Sequence, residues 1–64
     1  MKKFAKDIVP NVDRLIVVGE DGRKTAVLVT AVTKLSETNY GLSTVGAGMV
    51  QVAADVEVRV QSPL

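Results

Sequence analysis

Asp55 and Glu57 lie two residues apart in a segment of strict alternation, so an extended chain turns both carboxylates to one side. Their backbone separation of about 7 Å suits paired carboxylates doing acid–base work. Arg59 follows on the same side. A solvated row of alternating charge, which keeps a strand soluble, accounts for all three without chemistry, and that reading is preferred. The stretch Gly41-Leu42-Ser43-Thr44-Val45-Gly46-Ala47-Gly48 begins with the glycine spacing of a phosphate-binding loop. It then has Ala47 in place of the lysine and Gly48 in place of the magnesium-binding hydroxyl, and a strand pattern follows instead of a helix. It reads as a turn feeding the last strand. Ser36, Ser43 and Ser62 have no histidine to activate them, and Lys34 beside Ser36 makes no argument for a Ser-Lys pair. The chain has no Cys and no His, so neither a disulfide, a thiolate or imidazole metal site nor a Cys-His nucleophile can form within it. The catalytic, cofactor and metal sets are therefore empty, and the chain is expected to be non-enzymatic.

Binding chemistry is the remaining class. Lys2, Lys3 and Lys6 surround Phe4, and Arg23 and Lys24 sit together at a turn. Either group could contact phosphates, and small β-barrels are common nucleic-acid modules. Binders of single strands usually add several stacking aromatics, however, and Phe4 and Tyr40 are the only aromatics here. The net charge of +1 supplies no strong field toward nucleic acid or membrane. Its distribution is mildly uneven, about +3 over Met1 to Lys34 and about −2 over the rest. Nucleic-acid binding is the weaker alternative, with solubility of a short terminal segment as the simpler role of the lysines.

The elements that must position these residues read mostly as strands. With 47% hydrophobic and 23% charged residues the chain should fold, and its apolar set is mainly Val, Ala, Leu and Ile. Over Met1 to Val9, Phe4 and Ile8, and Ala5 and Val9, are spaced for one face of a short helical turn that Pro10 ends. Two turns do not stand alone in water, so residues 1–12 are expected to form an arm that either docks, on its own domain or on a neighbour, or stays extended. Leu15-Ile16-Val17-Val18, then Gly19-Glu20-Asp21-Gly22, then a second apolar run to Leu35, predict a hairpin. The second strand is apolar on both faces and is expected to be covered on both. A short strand around Asn39 to Leu42 is one way to divide the polar stretch from Ser36 to Gly48. Val50, Val52, Ala54, Val56, Val58 and Val60 alternate with Gln51, Ala53, Asp55, Glu57, Arg59 and Gln61 and predict a long strand with one dry face. Eleven extended residues would reach about 36 Å, more than the diameter of about 28 Å expected for a globule of this size. The strand must bend near Ala53-Ala54 or project to pair with another copy.

These readings give an all-β domain: a small open barrel or sandwich of three to five strands, with the arm at 1–12, the β domain at 13–61 and a tail at 62–64. A chain of 64 residues buries only about 60% of its unfolded surface, and without disulfide or metal it is expected to gain support by self-association. The expected role is a structural or assembly subunit, a homo-oligomer within a larger protein complex, such as an accessory or decoration protein of a viral capsid. Phe4, Ile8, Val9, Tyr40 and Leu42 are the expected interface residues. Lys6 and Asp7 interrupt any apolar stretch after Met1-Lys2-Lys3 that a signal peptide would need, and no run is apolar enough for a span. The expected location is cytoplasmic, or within a virion, without membrane contact.

Overall fold

The computed structural model describes residues 1–62; Pro63 and Leu64, the last two residues of the expected tail, lie outside the described residues. The fold is all-β. Its strands are β1 (Lys2–Phe4), β2 (Arg14–Val18), β3 (Lys24–Lys34), β4 (Asn39–Thr44), β5 (Met49–Ala53) and β6 (Glu57–Gln61), with one 3-10 turn at Ala5–Asp7. They make a single antiparallel sheet in the order β1-β6-β2-β3-β4-β5, one strand more than the sequence predicts.

The β2–β3 hairpin forms as expected, pairing Leu15 with Val27 and Val18 with Lys24. Its turn is closed by the Gly22 amide donating to the Gly19 carbonyl at 3.0 Å, with Gly22 at φ 82°. Positive φ at this place is what Asp-Gly supplies at little steric cost. β3 is not covered on both faces. A bulge at Thr30, between the pairs Val29↔Thr44 and Ala31↔Ser43, adds one residue and reverses the alternation. Val27 and Val29 face the core before it and Val32 packs against the core after it, whereas Ala26 and Ala31 are exposed. Val27, Val29 and Val32 thus serve the inner face despite their mixed spacing, while half-buried Leu28, opposite Arg14, and exposed Leu35 stay on the outer one.

The polar stretch after β3 is divided by β4, and Gly46 and Gly48, both with positive φ, turn it into β5. The glycine-rich stretch is a strand and a hairpin turn. The long alternating segment bends where predicted: the Val56 amide reaches back to the Ala53 carbonyl at 3.3 Å, and Ala54-Asp55 forms the turn between β5 and β6. The chain leaves β4's neighbour and arrives beside β1 and β2. Val50, Val52, Val58 and Val60 keep the inward phase, but Val56 falls at the corner and is 50% exposed, contrary to its expected burial in a dry face.

The expected N-terminal arm is part of the sheet. Lys2, Lys3 and Phe4 pair with Arg59, Val58 and Glu57, and the 3-10 turn places Ala5 in the core. Pro10-Asn11 then makes a tight turn in which the Val12 amide donates to the Val9 carbonyl and Asn11 takes φ 64°, the arrangement of a type II turn with Pro second and Asn third. Ala5, Ile8, Leu15, Val27, Val29, Leu42 and Val60 form the core. The 3-10 turn contacts β4 from the opposite end of the sheet order, so the sheet curls around this core as an open barrel. Among the described residues no helix is long and apolar enough to cross a membrane.

Candidate interaction surfaces

The most constrained polar residue is Asp13, just before β2 and 1% exposed. Its Oδ2 accepts from Lys3 Nζ at 2.7 Å and from the Val9 amide at 2.9 Å, and its Oδ1 accepts from Ser62 Oγ at 2.8 Å. A buried carboxylate is costly unless so satisfied. The Lys3 hydrogen bond, then the Val9 amide, with a smaller contribution from Ser62, outweigh burial and hold this carboxyl down at about 2. The cluster ties β1 and the end of β6 to the turn before β2. Both carboxylate oxygens are satisfied internally and Lys3 supplies the opposite charge, so it is a structural clasp. It also takes Lys3 out of the expected basic group: Lys3 faces inward beside Val58.

The five expected interface residues separate into three groups. Ile8 and Leu42 are 4% and 0% exposed and belong to the core, because Leu42 pairs with Val32 and Val50 on the inner face of the sheet. They are not available for contact. Val9 is exposed. Phe4 and Tyr40 are half-buried and line one groove with Lys6, Ala54 and Asp55, where the curled sheet brings β1 toward β4. Lys6 Nζ stands 6.0 Å from the centre of the Phe4 ring, the outer limit of a cation–π contact. Asp55, lining the same groove as Lys6, makes it poorly suited to phosphate.

Asp55 and Glu57, candidates for acid–base pairing only on an unbroken strand, are separated in role by the corner: Asp55 lies in the turn and Glu57 opens β6 opposite Phe4. Among the described residues no group of three or more acidic side chains could hold a metal ion.

Two surfaces on the outer face of the sheet had no clear sequence signal. Lys2 is directly opposite Arg59, and Arg14 is opposite Gln61, two residues farther along β6. Like charges placed opposite one another repel, and these three form no ion pair among the described residues. On the other side of the molecule Leu35 and Met49 close over Gly41. A Cβ built on Gly41 would meet Met49 Sδ at 3.2 Å and Leu35 Cδ1 at 3.4 Å. Both side chains remain open to solvent, Leu35 at 46% and Met49 at 61%. Comparison with protein-family models, with curated proteins and with solved structures finds no match to this chain.

Proposed function

We propose that this chain is a non-enzymatic structural subunit that self-associates and works by occupying an interface in a larger protein assembly. An accessory or decoration protein of a viral capsid is one example of that class. The observation that carries the reading is the apolar cap of Leu35 and Met49 over Gly41. A small chain gains little by leaving two large side chains in water on one patch, and contiguous exposed apolar surface is the usual mark of a contact site. Sedimentation equilibrium from micromolar to millimolar concentration tests it. The expected result is a mass that rises with concentration above the monomer's 6.8 kDa. A monomer throughout that range would overturn self-association.

A second reading, a small β-barrel nucleic-acid module, is favoured by the Lys2, Arg59 and Arg14 cluster. It requires oligonucleotide affinity that falls steeply with salt and falls again in Lys2→Ala and Arg59→Ala. Binding that ignores both substitutions would dismiss the cluster as its site.

A further inference from the structure

The two edges of the sheet are treated differently by the sequence. β1 carries Lys2 and Lys3, and charged residues on an edge discourage strand addition. β5, Met49-Val50-Gln51-Val52-Ala53, has no charge, no proline and no register irregularity against β4. It closes the strand order on its side.

Its hydrogen-bonding direction follows from the ends of the β4–β5 ladder. The Thr44 amide donates to the Gly48 carbonyl at 3.0 Å, and the Ala54 amide donates to the Thr38 carbonyl at 2.8 Å. Hydrogen-bonded pairs alternate along an antiparallel ladder, so Val50 and Val52 are the β5 residues whose amides and carbonyls face β4. The amides and carbonyls of Met49 and Gln51, and the Ala53 amide, point off the edge. None has a backbone partner among the described residues; the Ala53 carbonyl accepts from Val56. On the inner face Val50 and Val52 are only half-buried, because the curled sheet leaves its seam open along β5.

The edge is also complementary to itself. In an antiparallel pair of β5 strands centred on Gln51, Gln51 meets Gln51, Val50 meets Val52 and Met49 meets Ala53 of the other copy. The outward-pointing amides and carbonyls of Met49 and Gln51 and the Ala53 amide fall in hydrogen-bonded pairs, the Ala53 carbonyl being already engaged by the Val56 amide. Val50 and Val52 fall in the closer, non-hydrogen-bonded pairs, where each valine covers the half-buried valine of the other copy. No like charges face each other, and a two-fold contact of this kind closes. We propose that the chain dimerises by antiparallel β5–β5 addition about Gln51, joining two sheets edge to edge. This rests on the self-association reading above and names its surface.

The test is sedimentation equilibrium of the wild type, Gln51→Lys, Gln51→Glu and an equimolar mixture of the two variants. Gln51 is exposed and its amide points away from β4, so either charge leaves the fold intact, as circular dichroism and thermal melting will show. A wild-type dimer is expected, with each single variant weakened about fivefold by like charges at the two-fold and association recovered in the mixture. In a chain made by chemical synthesis, N-methylation of Gln51 replaces the outward donor with a methyl group that blocks the edge and should weaken association at least comparably, with the fold checked as for the charged variants; it also decides the matter if a charged variant fails to fold. A wild type that stays monomeric overturns this proposal and the self-association reading together. Undiminished association of both variants and of the N-methyl chain overturns the β5 contact while leaving self-association standing. Loss in both variants without recovery in the mixture overturns the pairing about Gln51.

Discussion

At the scale of single residues, Asp13 carries the sharpest consequence. Its folded carboxyl titrates at about 2 against an ordinary value of 3.8. A depressed carboxyl contributes stability that is complete above its unfolded value and disappears as pH falls through the folded one. The contribution, on the order of 2 kcal/mol, should therefore be lost between about pH 4 and pH 2. Lys3→Met removes the largest cause of the depression, so the Asp13 carboxyl should titrate at higher pH and acid unfolding should begin earlier. Carboxyl NMR titration of both proteins checks this, and an unmoved Asp13 midpoint would refute the role given to Lys3. Asp13→Ala should cost about 3 kcal/mol, since it strands the Lys3 ammonium and the Val9 amide. Denaturant unfolding measures it. Asn11, at φ 64°, is a second residue of this kind. Asn11→Val should destabilise by about 1 kcal/mol while Asn11→Gly is near neutral, because a β-branched side chain resists the left-handed region.

At the scale of elements, the corner at Ala54-Asp55 decides which valine matters. Val60 is 2% exposed and packs opposite Leu15, whereas Val56 is 50% exposed in the turn. Val60→Asp should bury a carboxylate without a partner and cost several kcal/mol, a large share of the stability of any small domain. Val56→Asp should change stability by less than about 1 kcal/mol. Thermal or urea unfolding of the pair reads the phase of β6 directly, and equal sensitivity would place the bend elsewhere. An unbroken strand would have made Val56 the sensitive site. The break arises because β5 pairs with β4 while β6 pairs with β1 and β2, so the chain must cross from one part of the curled sheet to another.

At the scale of the whole molecule, the first nine residues are a stave of the barrel. They supply β1, the core residues Ala5 and Ile8, and the lysine of the Asp13 clasp. Deleting Met1 to Val9 should therefore unfold the domain, with loss of amide dispersion in its NMR spectrum. A docked arm would come away and leave the rest folded. A folded, truncated chain would show that the remaining strands suffice without β1.

Much of the strand content was legible because alternation and turn chemistry are local. Leu15 to Val18, Asp21-Gly22 and the Val50 to Val60 series each carry their conformation in neighbouring residues, and β2, β3, β5 and β6 appear where those patterns lie. The short strand at Asn39 and the bend near Ala54 were each one of two readings that length left open, against a contact-making loop and a strand projecting to another copy, and the closed sheet decided between them. Other features depended on contacts distant in sequence. Phe4 and Ile8 share a helical spacing whether the segment leaves the domain or closes it, and only the free edge of β6 decides that β1 pairs there. The Thr30 bulge leaves no mark in composition, yet it sets which residues of β3 face inward. Asp13 looks like any surface acid until Lys3, Val9 and Ser62 converge on it, the last from 49 residues away. Of the five expected contact residues, Phe4 and Tyr40 meet at one groove while Ile8 and Leu42 are enclosed, because hydrophobicity marks a residue for burial without saying by what. Sequence by itself determined most of the strands and turns, and the alternation of faces within unbroken strands, which are properties of neighbours. Tertiary structure alone decided which edges are paired, which face is inside and which polar groups are satisfied, because each depends on groups that only the closed sheet brings together.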